Sequence, residues 1–588
     1  MIIGVNDVTS VLSIWRSPID RVAVAEAESL QRRQPQCTIV YGEDFTQITM
    51  YNYGQYITAA GGIANADAAL DLMFGAMNPS TLYGFYGGLA YITQQEFSVN
   101  AYDPILKKHE VPDQCNILGA GTGGSKANGM STPFYHFTIT PMATGSSISQ
   151  FLTCEGNHTT GGKWFRGLSF KWLQTNAKAG DICISAGTWN CRAIDCTFTD
   201  CPTAFYAIGE SAGLEQCLIN YTTGSPNDAV AVYLQGPQAY VVGPSEYLQD
   251  SVASGGPTGC TAIALGGGGG AGNLVHGVIS TIHLSNWSYA INYNVNPGVN
   301  GTHITNVQAQ AYATCVNMQP PSVSNNQING EKYTGCTFEK APNSVMSTAI
   351  VFIDTNGGGN NTINDIEFTD CSVYSQAGFP AGGYCYQISS GSNIRIIGGT
   401  ASNAGNGLVT AGIAITTTAI SGGPPGPGRI TVLGVDLNSS YPQTGGGPSA
   451  YALFVSANLQ DVVTIDNCRM TNYSASPIYI TGTVNNYLYI RNCEGYNDRN
   501  TSILSGTSSL PITSPVSAAT ASSLTGGTDY YGPSLVVFTN NASSNTFTIN
   551  GTISQTVPAH GFVTLYLASP YDTIQFGHTL SAFSWIGK

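Results

Sequence analysis

Between residues 160 and 500 the chain repeats one short alternation of apolar and polar positions. Each unit opens on a small or polar residue and alternates apolar with variable positions. It closes on Asn or Asp, as in Asp195-Cys196-Thr197-Phe198-Thr199-Asp200. Gln216-Cys217-Leu218-Ile219-Asn220, Gly335-Cys336-Thr337-Phe338-Glu339 and Asp365-Ile366-Glu367-Phe368-Thr369-Asp370 follow it, and Asn467-Cys468-Arg469-Met470-Thr471-Asn472 comes later. The first apolar slot falls at 168, 196, 217, 282, 307, 336, 366, 399, 435, 468 and 493. Successive slots are 21 to 36 residues apart, except for 65 between 217 and 282, an interval with room for a further turn. A period of two within each unit is that of a half-buried strand, and Asn, Asp and Gly mark the turn after it. Units of that length, varied by loop insertion, predict an all-β fold in which coils stack as a parallel β-helix.

In such a stack, equivalent side chains of successive coils lie about 4.8 Å apart. Cys196, Cys217, Cys336, Cys468 and Cys493 are then small inward hydrophobes rather than reactive thiols. Asp200 and Asp370, closing their units, are turn residues. The slot also sets the phase of every outward position, including Asp365, Glu367 and Glu339. With Phe368 taken as the equivalent of Phe338, these three form the densest outward carboxylate group, with Glu339 about 8 Å from Glu367. Glycoside hydrolysis needs two carboxyl groups about 5–5.5 Å apart for retention or about 6.5–9.5 Å for inversion. Glu339, Asp365 and Glu367 are therefore the candidate catalytic residues, and Tyr333 and Tyr374 the rings expected to stack on sugar. Asp195, with Asp181 and Glu210, is a second carboxylate group expected to contact substrate.

Outside the repeat, Ser17-Pro18-Ile19-Asp20 leads into a charged stretch ending at Arg33 that reads as a short helix, and Asn65–Met77 reads as a second. Strands are expected at Gly87–Ile92 and Glu96–Val99, and four more at 534–538, 546–549, 561–567 and 573–576, as a terminal β-sandwich. The boundaries that follow are an N-terminal anchoring segment at 1–48, the start of the β-helix with its capping helix at 49–130, and the β-helix proper at 131–499. A Ser/Thr/Gly-rich linker at 500–532 and the sandwich at 533–588 complete the chain.

Composition narrows the functions. Charged residues make up only 9 % of the chain, against 70 glycines, 32 tyrosines and 21 phenylalanines, a balance suited to turns and strands rather than to disorder. A net charge of −14 without clustered Lys and Arg excludes nucleic acid as a partner. No run approaches eighteen apolar residues, so no insertion into a membrane is expected. Met1-Ile-Ile-Gly-Val-Asn-Asp lacks a basic start and apolar core, so no leader peptide is expected. The fifteen cysteines, an odd number widely spread, favour buried thiols over a disulfide framework. With no CxxC pair and no HExxH, neither metal nor cofactor is expected. The GAGTGG run at 119–124 has no βαβ unit after it and is a turn.

Tyr53-Gly54 ahead of the Asp67-Ala68-Ala69-Leu70 helix, then a Gly-Gly-x-x-Tyr-Ile strand and the VPDQCNILGAGTG segment, resembles the start of pectate-lyase-like β-helix proteins. The likeness is to those of bacteriophage tailspikes and capsular-polysaccharide depolymerases, and covers roughly residues 50–495. Asn65-Ala66-Asp67 replaces the usual Asp-Asp pair, and the Asn-Thr-Asp, Asp-Asp and Gly-His-Gly motifs of polygalacturonases are absent, Val275-His276-Gly277 being a partial echo. The resemblance implies a right-handed parallel β-helix, assembled as a homotrimer. It implies a virion tail component, made in the host cytoplasm and acting outside the cell. The N-terminus would meet other tail or capsid proteins, and a bacterial surface polysaccharide would be bound and cleaved. A fibre that only binds its receptor and a secreted polysaccharide lyase are the alternatives.

Overall fold

The computed structural model describes most of residues 46–494 apart from loops between strands, with short strands at 2–3 and 36–41 and seven strands between 529 and 587. The helix expected before Arg33, most of the linker at 500–532 and the GAGTGG turn lie outside the described residues. The chain divides into two compact units, Met1–Ala311 with Cys315–Asn317, and Tyr312–Thr314 with Met318–Lys588.

In the first unit each complete coil has three strands, and each strand pairs in parallel with its equivalent one coil on. The first sheet stacks Leu89–Ile92, Asn116–Gly119, Lys163–Arg166, Cys191–Ile194, Gly213–Glu215 and the start of Tyr240–Gln249. The second stacks Phe97–Asn100, Phe137–Thr140, Ser169–Trp172, Thr197–Thr199 and Leu218–Tyr221. The third stacks Gln150–Cys154, Ile182–Ala186, Thr203–Ala207, Val230–Leu234 and Thr261–Leu265. The coils wind right-handedly, as twisted parallel strands require of their crossovers. Inward side chains stack by type: the rings of Phe137, Phe170 and Phe198 lie 5.8 and 5.1 Å apart and within 18° of parallel.

The second unit repeats this plan. Lys332–Thr334, Glu367–Thr369, Ile394–Ile397, Ile430–Leu433, Val463–Asp466 and Leu488–Arg491 form its first sheet. Thr337–Lys340, Ser372–Ser375 and Thr400–Asn403 form its second. Its third is Ala349–Ile353, Tyr384–Ile388, Ala411–Ile415, Tyr451–Val455 and Ile478–Ile480. All four expected C-terminal strands are present. With three more they make two antiparallel sheets, of four and three strands.

Between the first and second sheets the chain turns at one residue with positive φ, and the next residue points inward. Gly167, Asp195, Gln216 and Thr281 take this role in the first unit, and Gly335, Asp370, Gly434, Asn467 and Asn492 in the second, while Gly398 and Gly399 share positive φ at one corner. The slot at 366 is a slip in the expected phase. Thr337 lies opposite Ser372 and Phe338 opposite Val373, so Cys371 follows Cys336 in the column. Ile366 instead precedes a first-sheet strand, where Phe368 stacks on Tyr333. Asp365 and Asp370 both have φ above 50° and stand one short strand apart, so the same hexad pattern occurs twice in that coil. Ser245, paired with Ile282 and bonded through its Oγ to the Cys217 N–H (3.2 Å), fills the long interval.

Two helices close the N-terminal end of the first unit, α1 (Tyr53–Ala59), capped by the Asn52 side chain, and α2 (Ala66–Met77). α2 buries Ala66, Ala69, Leu70, Met73, Phe74 and Met77, a stripe at helical spacing that covers the first coils. A polar clasp fixes it. Asp67 and Asp71, one turn apart on α2, approach opposite nitrogens of the His109 ring, Nε2 at 3.3 Å and Nδ1 at 3.0 Å. His109 is 1 % exposed and packed edge-on against Tyr102 and Phe151. Burial alone would push its pKa down, but hydrogen bonds to both aspartates and their charges outweigh it and push it up, favouring the protonated ring. Burial pushes the two carboxyls up, and their bonds to His109, aided at Asp67 by the Asn100 backbone N–H, bring them below the ordinary range.

The histidine's contribution is complete below its ordinary pKa of about 6.5 and fades as pH rises through its raised value. The aspartates' contribution is complete above about 4 and fades as pH falls through their lowered values. His109→Gln should therefore cost about 2 kcal/mol. Thermal midpoints measured from pH 3 to 9 should show that deficit greatest between about pH 4 and 6.5 and smaller on both sides.

Candidate functional site

On the outer wall, a residue's nearest neighbours are its equivalents one coil up and one coil down. Opposite charges placed there neutralise each other, and like charges repel. Glu367 stands in register between Lys332 and Arg395, and its Oε2 is 2.9 Å from an Arg395 Nη. Its carboxylate is the centre of a plus–minus–plus ladder. Asp365 is a turn residue at φ 56°, with its N–H on the Ser392 carbonyl and its carboxylate accepting from the Asn393 amide. Because of the slipped phase, Glu339 and Glu367 are not neighbours along one sheet. Glu339 belongs to the second sheet and Glu367 to the first, one coil later.

Glu339 is different in kind. It is 8 % exposed, and its neighbour on the next coil is a phenol rather than a cation: the Tyr374 hydroxyl donates to Oε2 at 3.4 Å. Burial and the Glu339 charge together push the Tyr374 hydroxyl up. Lys340, next in the chain, is also buried, and burial pushes its ammonium down to about 8. Tyr333, expected to meet sugar, is wholly buried. It sits at an inward position and stacks on Phe368 at 4.6 Å and 13°, so it belongs to the core.

The second carboxylate group separates into single structural roles. Asp195 is the exposed turn residue at φ 53°. Asp181 is fully buried and accepts from the backbone N–H groups of Ser149 (2.7 Å) and Lys178 (2.9 Å). Glu210 is exposed at a coil corner, its carbonyl accepting from Asn190. Among the described residues no group of three His, Cys, Asp or Glu could hold a metal ion.

A cluster that the carboxylate search did not include lies on the first sheet of the first unit. Trp164, Arg192, Gly213 and Tyr240 occupy one outward row in register. The Arg192 guanidinium lies 5.5 Å from the Trp164 ring centre and 5.7 Å from that of Tyr240. Gly213 makes room for this, since a Cβ there would come within 2.8 Å of the Tyr240 ring. Glu215, two residues on, accepts from Arg192 Nη1 (3.3 Å) and from the Tyr240 hydroxyl (2.6 Å), and Asn190 accepts from Arg192 Nε (2.5 Å). Trp164 is 36 % exposed and Trp189, just before Asn190, is 41 % exposed. The open Trp164 indole thus stands beside a guanidinium, a carboxylate and a phenol that hold each other in place. A signal for the row was present in sequence: Trp164, Arg192 and Gly213 each stand three residues before a corner residue, at 167, 195 and 216.

No protein-family model matches the chain, and no curated protein sequence does either. Among solved structures, it is similar to the tailspike protein of Escherichia coli bacteriophage HK620 in complex with a pentasaccharide. That match has 11 % identity and a TM-score of 0.49, over 96 % of this chain and 99 % of that one. It is similar to the A-module of the Azotobacter vinelandii mannuronan C-5 epimerase AlgE6 at 11 % identity and TM-score 0.46, over 76 % of this chain and 98 % of that one. Tailspike protein 3 of bacteriophage CBA120 matches at 11 % identity and TM-score 0.43, over 81 % of this chain and 71 % of that one.

The architecture is settled by the strand pairing: three parallel strands per coil, a left-handed residue at one corner, and a helical cap. It is a parallel β-helix.

In that architecture a turn aspartate and a catalytic aspartate respond oppositely to glycine. Asp365→Gly should leave the thermal midpoint within a degree or two of wild type, because glycine takes positive φ freely. Asp365→Val should cost about 1–2 kcal/mol, the strain of that conformation for a branched side chain. Thermal unfolding of the two variants checks this, and a large loss from glycine would contradict the turn role.

Proposed function

We propose that the chain is a tailspike-type β-helix that binds a bacterial surface polysaccharide along its outer wall. The observation that supports this reading best is the row of Trp164, Arg192 and Tyr240 with Glu215 beside it. Indole faces suit the C–H faces of sugar rings. Paired planar groups offer donors and acceptors already oriented for hydroxyls, so little side-chain freedom is lost on binding. Strands rather than loops carry all of them except Asn190 and Trp189, which favours a fixed geometry. In the same reading, residues 1–48 attach the protein to the virion and residues 533–588 hold a homotrimer together.

Binding is better supported than cleavage, because two of the three expected carboxylates have structural roles. A second reading, cleavage, is favoured by Glu339 alone, buried and facing Tyr374. The full-length protein should retain a capsular, O-antigen or exopolysaccharide preparation on an affinity surface. Trp164→Ala and Arg192→Ala should each weaken that binding about tenfold, or about 1.4 kcal/mol. Absence of binding to any such preparation would overturn the reading. If new reducing ends form as well, Glu339→Gln should abolish them while leaving affinity within a few-fold. Cleavage that survives this change would remove Glu339 from the chemistry.

A further inference from the structure

The third sheet of the second unit carries two adjoining outward rows without a charged residue. One runs Tyr384, Ala411, Tyr451, and the other Phe352, Gln387, Ala414, Phe454, Tyr479. The other two sheets of the same unit carry charge ladders, Lys332–Glu367–Arg395 on one and Asp436–Arg469–Glu494 on the other. The neutrality of this face is therefore local.

The rings are ordered with respect to one another. Tyr451 and Tyr479 lie 4.7 Å apart at 20°, Phe454 and Tyr479 5.6 Å apart at 19°, and Tyr384 and Phe454 5.9 Å apart at 27°. Ala411 and Ala414 are small enough for Tyr384 to lean across the intervening coil. All four rings are half-buried, with their remaining surface open on the wall. Beside them the Gln387 amide donates to Thr416 (3.2 Å) and Ser389 (3.4 Å), and these two hydroxyls bond each other at 2.8 Å. From the strand of Phe352 to that of Tyr479 is four coil steps, about 19 Å at about 4.8 Å each.

We propose that this face is a second glycan track, one that takes an uncharged oligosaccharide segment through its C–H faces. A fixed amide–hydroxyl group flanking aromatic rings is suited to orienting sugar hydroxyls. An absence of charge favours neutral sugars over uronates and sialic acids. Tyrosine hydroxyls and the Gln387 amide give the face hydrogen-bonding groups that sugar hydroxyls can meet. The inference rests on the polysaccharide-binding reading and adds to it a site and a sugar class.

Saturation-transfer NMR tests it on the full-length protein carrying Trp164→Ala and Arg192→Ala, so that the wall of the first unit does not contribute. The probes are methyl β-D-glucopyranoside, methyl β-D-galactopyranoside and methyl β-D-glucuronide. Saturation should reach the ring protons of at least one neutral glycoside and be several-fold weaker for the glucuronide. Adding Tyr451→Ala and Tyr479→Ala should abolish it, while Tyr451→Phe and Tyr479→Phe, which keep the rings, should retain most of it. No transfer to either neutral glycoside, equal transfer to the glucuronide, or transfer that survives the alanine pair would overturn the proposal. Light scattering on the alanine pair separates the other occupant: a changed oligomeric state with unchanged saturation would make the face a contact between copies and overturn the track. The polysaccharide-binding reading fails separately, by loss of polysaccharide retention in the wild-type protein.

Discussion

The structure depends on one backbone conformation repeated at the corner between the first and second sheets. There the chain needs a residue at positive φ whose N–H points along the stack to a carbonyl of the next coil. In the first unit Gly167 bonds Ile194 O (3.1 Å), Asp195 bonds Glu215 O (2.9 Å) and Gln216 bonds Val242 O (2.9 Å). In the second, Gly335, Asp370, Gly398 and Gly434 repeat the bond at 2.8–3.0 Å. For a residue with a Cβ this conformation costs about 1 kcal/mol or more, comparable to what a buried backbone hydrogen bond returns. Glycine avoids the cost, and Asn and Asp tolerate it best among the rest. The corner therefore favours Gly, Asn and Asp, with Gln216 and Thr281 as exceptions, and the next residue with a side chain is directed inward. Leu168, Cys196 and Cys217 in one unit, and Cys336, Cys371, Val435 and Cys468 in the other, occupy that position and are buried.

Fixing that phase also fixes what the outer wall can do. Outward side chains of adjacent coils are about 4.8 Å apart in straight rows. A charge there either finds its opposite on the next coil or repels its equal. Arg192 with Glu215 and Glu367 with Arg395 follow the first course. Carboxylates so placed have their oxygens directed at a cation on the next coil. Some rows depart from this pattern. Glu339 faces a phenol, and Arg192, though paired to a carboxylate, lies near two aromatic rings, one of them the open indole of Trp164.

The same corner explains what could be read in sequence and what could not. The alternation and the turn residues were enough for the parallel coil, the inward cysteines, the α2 helix and the four terminal strands. They were not enough for register in the second unit, because Asp365 and Asp370 are both left-handed corners and the hexad between them imitates one coil's worth of pattern. That single ambiguity moved Tyr333 from the core to the wall and brought Glu339 beside Glu367. The Trp164 row is legible once phase is used for every outward residue rather than for carboxylates alone. The clasp of His109 between Asp67 and Asp71 joins segments about forty residues apart with no periodic signal, and only the folded chain reveals it.

The cysteine column carries the argument one step further. Fourteen cysteines among the described residues are free thiols, and several occupy equivalent slots on successive coils, as Cys196 and Cys217 or Cys336 and Cys371 do. The backbone spacing of neighbouring parallel strands falls within the range that a disulfide spans. Yet the attacking species in disulfide formation is the thiolate, and here burial and the neighbouring thiol both push ionisation far up. The slot after the corner accepts a small apolar side chain, and cysteine fills it while remaining unreactive so long as the coils stay closed. Proximity and inertness therefore have one cause. The stacking that brings two thiols together also excludes the water that would ionise them.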